Sequence, residues 1–247
     1  QFEQMCDEVD IDLTRSVVAW VGDTPVGLAL LSRRGREGWV SGVGVRPQWR
    51  RRGIALRVLE TIQQEARADS LDRLRLEVLA QNEAGVQLYE QLGFVYTRDL
   101  LILTLEPGAI PRADVDNAVA TASPDELLDS YRALHDTQPP WQRALPSLRS
   151  RAPYLQGLAL RGPDERLRGY LLYQPQHAVY AIADLAVDPA YPKRIEAARE
   201  LLVALHSIRV NVGGYIVNVP GEAPILSAFT DVGYHVWHRQ HEMTWQI

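Results

Sequence analysis

Alternating apolar and polar positions near the start of the chain predict a β-hairpin. Two runs, Arg15–Val21 and Pro25–Ser32, have this alternation, and a short Gly-Asp-Thr turn lies between them. A third strand is predicted at Trp39–Val45. The spacing then becomes helical, because apolar residues recur on one face of a helix over residues 55–66. These residues are Ala55, Val58, Leu59, Ile62 and Ala66.

Four shorter elements are predicted after this helix. Leu74–Leu79 is predicted to be a buried strand, and the next helix is capped by Asn82 and ends near Leu92. Two short strands, Phe94–Tyr96 and Leu101–Leu105, close this part of the chain. The pattern is therefore a mixed α/β arrangement rather than an all-helical or all-strand one.

The same order of elements begins again after a predicted linker at Glu106–Pro111. Val45–Pro47 recurs as Val187–Pro189, and Leu92–Phe94 recurs as Val232–Tyr234. The predicted elements are a helix at Pro124–Leu134, strands at Gln156–Arg161, Arg168–Tyr173 and Val179–Val187, a helix near Ile195–Leu205, a strand at Tyr215–Val219, a helix at Pro224–Asp231, and strands at His235–His238 and Glu242–Gln246. The chain therefore contains an internal duplication.

The duplication predicts two domains, residues 1–106 and 107–247. About 78 residues precede the Val-x-Pro landmark of the second copy, whereas the landmark of the first copy begins at residue 45. The first domain is therefore expected to lack its opening strand and helix. Trimming of the chain, which begins with Gln1, and substitution by another segment would both explain this.

Composition narrows the class of protein. The 247 residues are 46% hydrophobic and 23% charged, with a single cysteine, Cys6, which excludes a disulfide scaffold. No apolar run approaches the ~20 residues of a membrane span, and no signal-peptide pattern opens the chain, so a cytoplasmic protein with no membrane partner is expected. The net charge of −5 argues against nucleic-acid binding.

Charge is unevenly distributed along the chain. Residues 33–67 contain nine arginines and three glutamates, a local net charge of +6, so the remaining residues carry −11. This basic segment indicates either a site for a small anionic ligand or a solvated arginine-rich surface. Residues 45–55 favour the ligand, because a strand end there leads directly into a helix start whose N–H groups have no intrahelical partners. Gly53 and Ala55 would let a phosphate approach the backbone; a plain turn with a tolerated glycine is the alternative.

The sequence Val-x-Pro-x-x-Arg-x-x-Gly-x-Ala at 45–55 is followed by Leu76–Val78, Asn82 and the Leu88–Phe94 segment. Together these motifs resemble the GNAT family of acyl-CoA-dependent N-acyltransferases. The resemblance is strong over residues 15–105 and weak over 110–247, so the chain resembles tandem GNAT proteins. It implies two α/β (α+β) folds, each a mixed, mostly antiparallel sheet with helices on both faces.

The resemblance also implies an activity and a set of cofactor-binding residues. The activity is transfer of an acetyl group from acetyl-CoA to a primary amine, by direct attack in a ternary complex. Backbone groups of Val43 and Val45 would hold the pantetheine, and Asn82 would lie near it, although an N-cap explains Asn82 equally well. The pyrophosphate would be held by the backbone of Arg50, Arg51, Arg52, Gly53, Ile54 and Ala55.

Two side chains are candidates for proton transfer. Tyr89 matches the family tyrosine that protonates the departing thiolate; the alternative is a core aromatic residue. Glu77 lies at the spacing of a family general base that accepts the amine proton, directly or through water. Its alternative is a structural carboxylate paired with Arg73, Arg75 or another neighbour. No metal is expected, because the six histidines show no convincing ligand spacing.

The second copy has lost the matching groups. Pro192, Ile195 and Glu196 stand where the first copy has Arg50, Gly53 and Ile54, and Val217, Glu222 and Phe229 stand at Glu77, Asn82 and Tyr89. This domain is therefore expected to bind no acyl-CoA, and to shape the acceptor site or complete the sheet of the first domain. A small-molecule or peptide amine is the expected acceptor, and a homodimer is left open. A non-catalytic acyl-CoA-responsive scaffold is the alternative function.

Overall fold

The computed structural model describes residues 2–108 and 119–247 of the chain. These divide into two compact units. The first contains the residues up to Asp99 together with Gln240–Ile247, and the second contains Leu100–Arg239. The division lies close to the predicted boundary at residue 106, but the C-terminal segment groups with the first unit and not, as predicted, with the second. Residues 109–111 of the predicted linker lie outside the described residues.

Helices and strands alternate in the first half of the chain. The elements are α1 (Phe2–Val9), β1 (Val17–Val21), β2 (Thr24–Arg34), β3 (Glu37–Val45), α2 (Ile54–Ala68), β4 (Arg73–Leu79), α3 (Glu83–Gln91) and β5 (Val95–Leu105). Helix α1 was not predicted, and within the described residues no strand precedes it. The expectation that the first domain lacks its opening strand and helix, or that another segment substitutes for them, stays a prediction.

The second half repeats this order with additional short helices. Its elements are β6 (Val119–Ala122), α4 (Pro124–Asp129), α5 (Tyr131–Leu134), α6 (Leu145–Arg151), β7 (Gln156–Arg161), β8 (Leu167–Pro175), β9 (Val179–Val187), α7 (Arg194–Ile208), β10 (Gly213–Pro220), α8 (Leu226–Val232) and β11 (His235–Gln246). The helix predicted at 124–134 is divided at Ser130, and β6 and α6 were not predicted.

Each unit has a mixed, mostly antiparallel sheet flanked by helices, as predicted. In the first unit the strand order is β1-β2-β3-β4-β11-β5, and α2 packs its apolar face, including Leu59 and Ile62, against strand residues such as Leu31 and Leu74. In the second unit the order is β5-β10-β9-β8-β7-β6, with α7 and α8 against the sheet. The parallel pairs are β3 with β4 and β9 with β10.

The last strand of the chain completes the sheet of the first unit. Residues 240–246 of β11 pair antiparallel with β4 in continuous register, from Gln240 opposite Leu79 to Gln246 opposite Arg73. This is one of the two roles expected for the C-terminal region.

β5 and β11 are each one continuous strand, where two short strands were predicted. The polar residues between the two strands predicted within β5 have partners on β11. The hydroxyls of Thr97 and Thr244 lie 3.0 Å apart, Arg98 donates to Glu242 at 2.7 Å, and His241 lies 3.0 Å from Asp99. Polar pairs directly across two strands stabilise a sheet, so a polar stretch need not end a strand. None of the helices in the described ranges is long and apolar enough to cross a membrane.

Candidate active site

The parallel strands β3 and β4 separate at one end and leave a gap. They pair only from Glu37–Trp39 to Arg73–Arg75, although both continue beyond that point. Ser41 is an extra residue in β3, because the register with β2 shifts between Leu30 and Leu31. A bulge bends its strand, which accounts for the divergence directly after Trp39. Beyond it, backbone groups of β3 are available to a ligand.

Two glycines of β3 lie beside this gap, Gly42 and Gly44. A Cβ atom at Gly44 would meet nothing within 4 Å, and one at Gly42 would meet only Leu30, at 3.5 Å. Val43 lies between them and Val45 ends the strand. The segment predicted to hold the pantetheine through its backbone therefore forms one side of an open gap.

The N-terminus of α2 follows this strand after a short 3-10 turn at Pro47–Trp49. Gly53 precedes the helix with a φ of +76°, no side chain caps the helix, and its first turn has no acidic residue. The first intrahelical bond from this end is donated by Arg57 to the Gly53 carbonyl, at 3.1 Å. The N–H groups of Ile54 and Ala55 therefore point out of the helix, and with the helix dipole they favour an anion.

The arginines that precede α2 lie at the corner between the end of β3 and the start of α2, and contacts hold two of them in place. Arg50 Nε donates to the Val45 carbonyl at 3.2 Å, and the Arg52 guanidinium lies 4.8 Å from the centre of the Trp49 ring. Arg51 has a φ of +60°, so two left-handed residues flank Arg52. Alternation of backbone conformation directs successive N–H groups to one side, as in anion-binding nests.

One residue of this corner was missed by the sequence analysis. Gly27 on β2 lies under the start of α2, where a Cβ would come within 2.7 Å of Ile54 Cγ2. The glycine therefore allows the helix start to approach the sheet. A glycine in the interior of a predicted strand was the only available signal.

Tyr89 lies on α3, half-buried against the core of the first unit. Its ring contacts Phe94 edge-on, with centroids 6.0 Å apart. Burial raises the pKa of Tyr89, so the phenol stays protonated at neutral pH. No described residue hydrogen-bonds its hydroxyl. Asn82 begins the same helix, and its Oδ1 accepts from the Gly85 N–H at 3.1 Å, which confirms the N-cap.

Glu77 lies on β4 on the face opposite to Tyr89. Leu76 and Val78 point into the core against which Tyr89 packs, so the alternation of the strand places Glu77 on the other face. Its direct neighbour across the strand pair is Glu242. A ligand inserted between β3 and β4 would cross the plane of the sheet. Glu77 on one face and Tyr89 on the other could both contact the ligand only at that crossing.

The arginines that offered Glu77 a structural role bind another carboxylate. Arg73 forms an ion pair with Glu37, and Arg75 Nη2 lies 2.9 Å from Glu37 Oε2. Arg75 also lies 3.8 Å from Glu242, which Arg98 binds at 2.7 Å. Glu37 thus binds both arginines, a pairing that the sequence analysis did not identify. Glu77 also makes contacts of its own, so this pairing does not exclude a structural role for Glu77.

The second unit has a corresponding gap between β9 and β10, and side chains occupy it. β9 and β10 pair only from Val179–Ile182 to Gly213–Ile216, and the extra residue Ala183 corresponds to Ser41 when Val187 is placed on Val45. Asp184 follows, fully buried, and Arg143 spans the gap. Its Nη2 lies 2.7 Å from Asp184 Oδ1, and its Nη1 donates to the Asn218 carbonyl of β10 at 3.2 Å.

The residues predicted to oppose phosphate binding in the second copy also lie at its helix start. Helix α7 begins at Arg194 and carries Glu196 in its first turn, where a negative charge disfavours an anion. Phe229, at the position of Tyr89, is buried in α8 and has no hydroxyl to donate.

A family model described as acetyltransferase (GNAT) family matches residues 2–94. This range contains the gap, the helix start and Tyr89. Over residues 2–94 the chain is therefore similar to a GNAT-family domain. Among curated proteins, the chain is 34% identical over 62 residues to the uncharacterized N-acetyltransferase YdgE of Bacillus subtilis. That match covers 25% of this chain and 40% of YdgE, so the chain spans less than half of that relative.

Solved structures resemble this chain over nearly its whole length. A tandem GNAT protein from the clavulanic acid biosynthesis pathway superposes with a TM-score of 0.71 at 15% identity, covering 98% of this chain and 87% of that one. A GCN5-related N-acetyltransferase from Sphaerobacter thermophilus gives 0.73 at 16% identity, covering 99% and 85%. These likenesses establish the fold of both halves, and the match to an acetyltransferase family supports acyl transfer.

Proposed function

We propose that this chain is an N-acetyltransferase that moves an acetyl group from acetyl-CoA to a primary amine of a small molecule or peptide. One observation carries the proposal: the open gap between β3 and β4 leads to the uncapped, arginine-flanked N-terminus of α2. A long ligand with an anionic end and an amide-containing arm fits that pair of features, because each meets unpartnered backbone groups.

The residues present fit acetyl-CoA. Backbone groups of Val43 and Val45 would hold the pantetheine amides, and the segment Arg50–Ala55 would hold the pyrophosphate. The positive φ of Gly53 and the open space at its Cβ position support close approach of a phosphate. When bound, acetyl-CoA supplies an activated thioester carbonyl.

Glu77 and Tyr89 would move the protons from opposite faces of β4. Glu77 would take a proton from the ammonium or attacking amine, directly or through a water, so that the nitrogen lone pair can form the new bond to the acyl carbon. As the carbon–sulfur bond breaks, Tyr89 would donate its proton to the sulfur. The raised pKa of Tyr89 keeps that proton available, and a thiolate in a low-dielectric gap is a stronger base than in water.

The second unit would contribute no donor site. Arg143 and Asp184 occupy the space between β9 and β10, and a bound pantetheine would have to displace a buried ion pair. Breaking such a pair leaves an uncompensated buried charge, which is strongly unfavourable. The expected stoichiometry is one acetyl-CoA per chain.

Calorimetric titration of acetyl-CoA into the full chain tests the donor site, and release of free thiol across an amine panel tests the reaction. We expect one site per chain and acceptor-dependent thiol release. Binding without release from any amine would favour an acyl-CoA-responsive scaffold, and absence of binding would refute the donor site itself. Tyr89→Phe provides the internal comparison, since it should bind acetyl-CoA but release thiol slowly.

A further inference from the structure

The face of the first sheet that carries Glu77 also carries exposed apolar side chains. On β2, Ala29 and Leu31 point into the core on the side of α2. Because side chains alternate along a strand, Leu28 lies on the opposite face, where it is 38% exposed. Glu77 lies on this same face of the sheet, since its neighbours on β4 point into the same core.

Two residues of β1 extend this apolar surface. Val17 and Ala19 pack against the core. Val18 and Trp20 therefore lie on the opposite face, that of Leu28. Val18 is directly opposite Leu28 in the register of β1 and β2, so their side chains are adjacent. Val18 is 48% exposed and Trp20 is 59% exposed, and with Leu28 they form what we call the β1–β2 patch.

Glycines occupy the positions of β3 between this patch and the gap. Gly44 is directly opposite Leu28, and Gly42 is directly opposite Leu30. A Cβ atom at Gly42 would lie 3.5 Å from Leu30 Cδ1, and one at Gly44 would meet nothing within 4 Å. Neighbouring strands lie about 4.8 Å apart, so Leu28 is one strand away from the edge of the gap. The glycines therefore leave an open path over β3 from the gap to the patch.

The corresponding positions of the second unit are covered by helices. With the two units aligned as above, Tyr170 stands at the position of Leu28, and Ala159 stands at that of Val18. Both are fully buried in a core that includes Leu127 of α4 and residues of α5 and α6. The same positions therefore belong to a core in the second unit and to the exposed surface in the first.

Charged groups complete this cover beside the second gap. His135 directly follows α5, and its Nε2 lies 3.2 Å from Oδ2 of Asp184, which stands at the position of Gly42. Its Nδ1 lies 2.9 Å from the Tyr131 carbonyl. Burial lowers the pKa of His135, but the Asp184 carboxylate outweighs this effect, so the pKa is raised. The face that is open in the first unit is thus filled in the second by both apolar and charged groups.

We propose that the acceptor of this chain is a primary amine with an apolar alkyl or aryl body, which the β1–β2 patch selects. This inference rests on the proposed N-acetyltransferase function. The nitrogen would lie at the gap, where the Glu77 carboxylate attracts an ammonium group, and the apolar body would extend over Gly44 onto Leu28 and Val18. Such an amine buries apolar surface that a polar amine of the same length does not, so it binds more tightly.

Steady-state kinetics of the full chain with hexylamine and 2-(2-aminoethoxy)ethanol test the proposal. These primary amines have equal length, and oxygen atoms make the second one polar. At saturating acetyl-CoA we expect kcat/KM to be about tenfold or more higher for hexylamine, chiefly through a lower KM.

The outcomes separate this inference from the function on which it rests. Equal kcat/KM values, a preference for the polar amine, or reaction of other amines but not of hexylamine would overturn the selection by the patch and leave the acetyltransferase function standing. Absence of thiol release from every amine of a broad panel would refute the function, and the inference would fail with it.

Two variants assign the preference to the patch. Val18→Thr and Leu28→Thr keep a side chain that favours a strand but make the exposed surface more polar. Each should raise the KM for hexylamine about fivefold or more, and should leave the KM for the polar amine and the melting temperature unchanged.

Val95→Thr provides the matched control. Val95 is also an exposed strand residue of the first unit, and it lies on β5, beyond β4 and β11 from the patch. This variant should leave the KM of both amines unchanged. Equal effects of the patch variants on the two amines, or an equal effect of Val95→Thr on hexylamine, would contradict selection by the patch.

Discussion

Replacing Gly53 by alanine should have two effects that can be measured separately. It strains the backbone, which lowers stability, and it obstructs the approach of the ligand, which lowers affinity. With a φ of +76°, an L-residue here should cost about 1–2 kcal/mol of folding free energy. A new Cβ meets no protein atom within 4 Å, so no steric clash adds to this cost. For a chain of this size, a melting temperature about 2–8 °C lower is expected.

The effect on acetyl-CoA should be larger than the effect on stability. The added methyl group projects into the open space where a phosphate would approach the N–H groups of α2. Loss of one charge-assisted hydrogen bond is worth about 1.5–3 kcal/mol, so we expect affinity to fall about ten- to a hundredfold by calorimetry.

Gly22 provides a matched control. It has a φ of +57°, also has nothing within 4 Å of its Cβ position, and lies in the turn between β1 and β2. Gly22→Ala should therefore lower stability by a similar amount and leave affinity unchanged. The reasoning is refuted if Gly53→Ala binds acetyl-CoA normally, or if both variants lose affinity equally.

Tyr89→Phe should lower turnover about 10²–10⁴-fold in a thiol-release assay, with affinity and melting temperature unchanged because no described residue hydrogen-bonds the hydroxyl; normal turnover would exclude the acid role. Glu77→Gln should lower kcat about 10²–10⁴-fold and leave acetyl-CoA affinity unchanged, whereas an unaltered kcat would identify another base. Asn82→Ala should cost about 0.5–2 kcal/mol in chemical denaturation through loss of the cap. Because the pKa of His135 is raised in the fold, its stabilising contribution is complete below the unfolded value of about 6.5 and is lost as pH rises through the folded value. His135→Gln should flatten that part of the stability–pH curve, and an identical curve would contradict the assignment.

Local signals predicted most of the elements. The helical spacing over residues 55–66 lies within α2, and the alternation before Pro47 lies within β1 to β3. These features depend on residues close in sequence, which is why periodicity and capping residues reveal them. The continuity of β5 was missed because its polar residues are stabilised by partners about 140 positions away on β11.

One part of the candidate site could be predicted from local sequence, and another part could not. The turn at Arg50–Ala55 could be located from sequence, because a glycine before a helix and the flanking arginines are local features. The gap between β3 and β4, which leads to this turn, depends on the bulge at Ser41. A bulge is defined by the register of the partner strand, and neither Ser41 nor Ala183 has a composition that signals one.

The sequence by itself determined the duplication, the order of elements and the position of the turn at Arg50–Ala55, because each depends on short-range patterns. Only the tertiary structure decided that the last strand belongs to the first sheet, that Glu77 and Tyr89 lie on opposite faces of β4, and that Arg143 closes the second gap. Those outcomes depend on pairings between distant segments, whose energies come from strand register and burial rather than from any local preference.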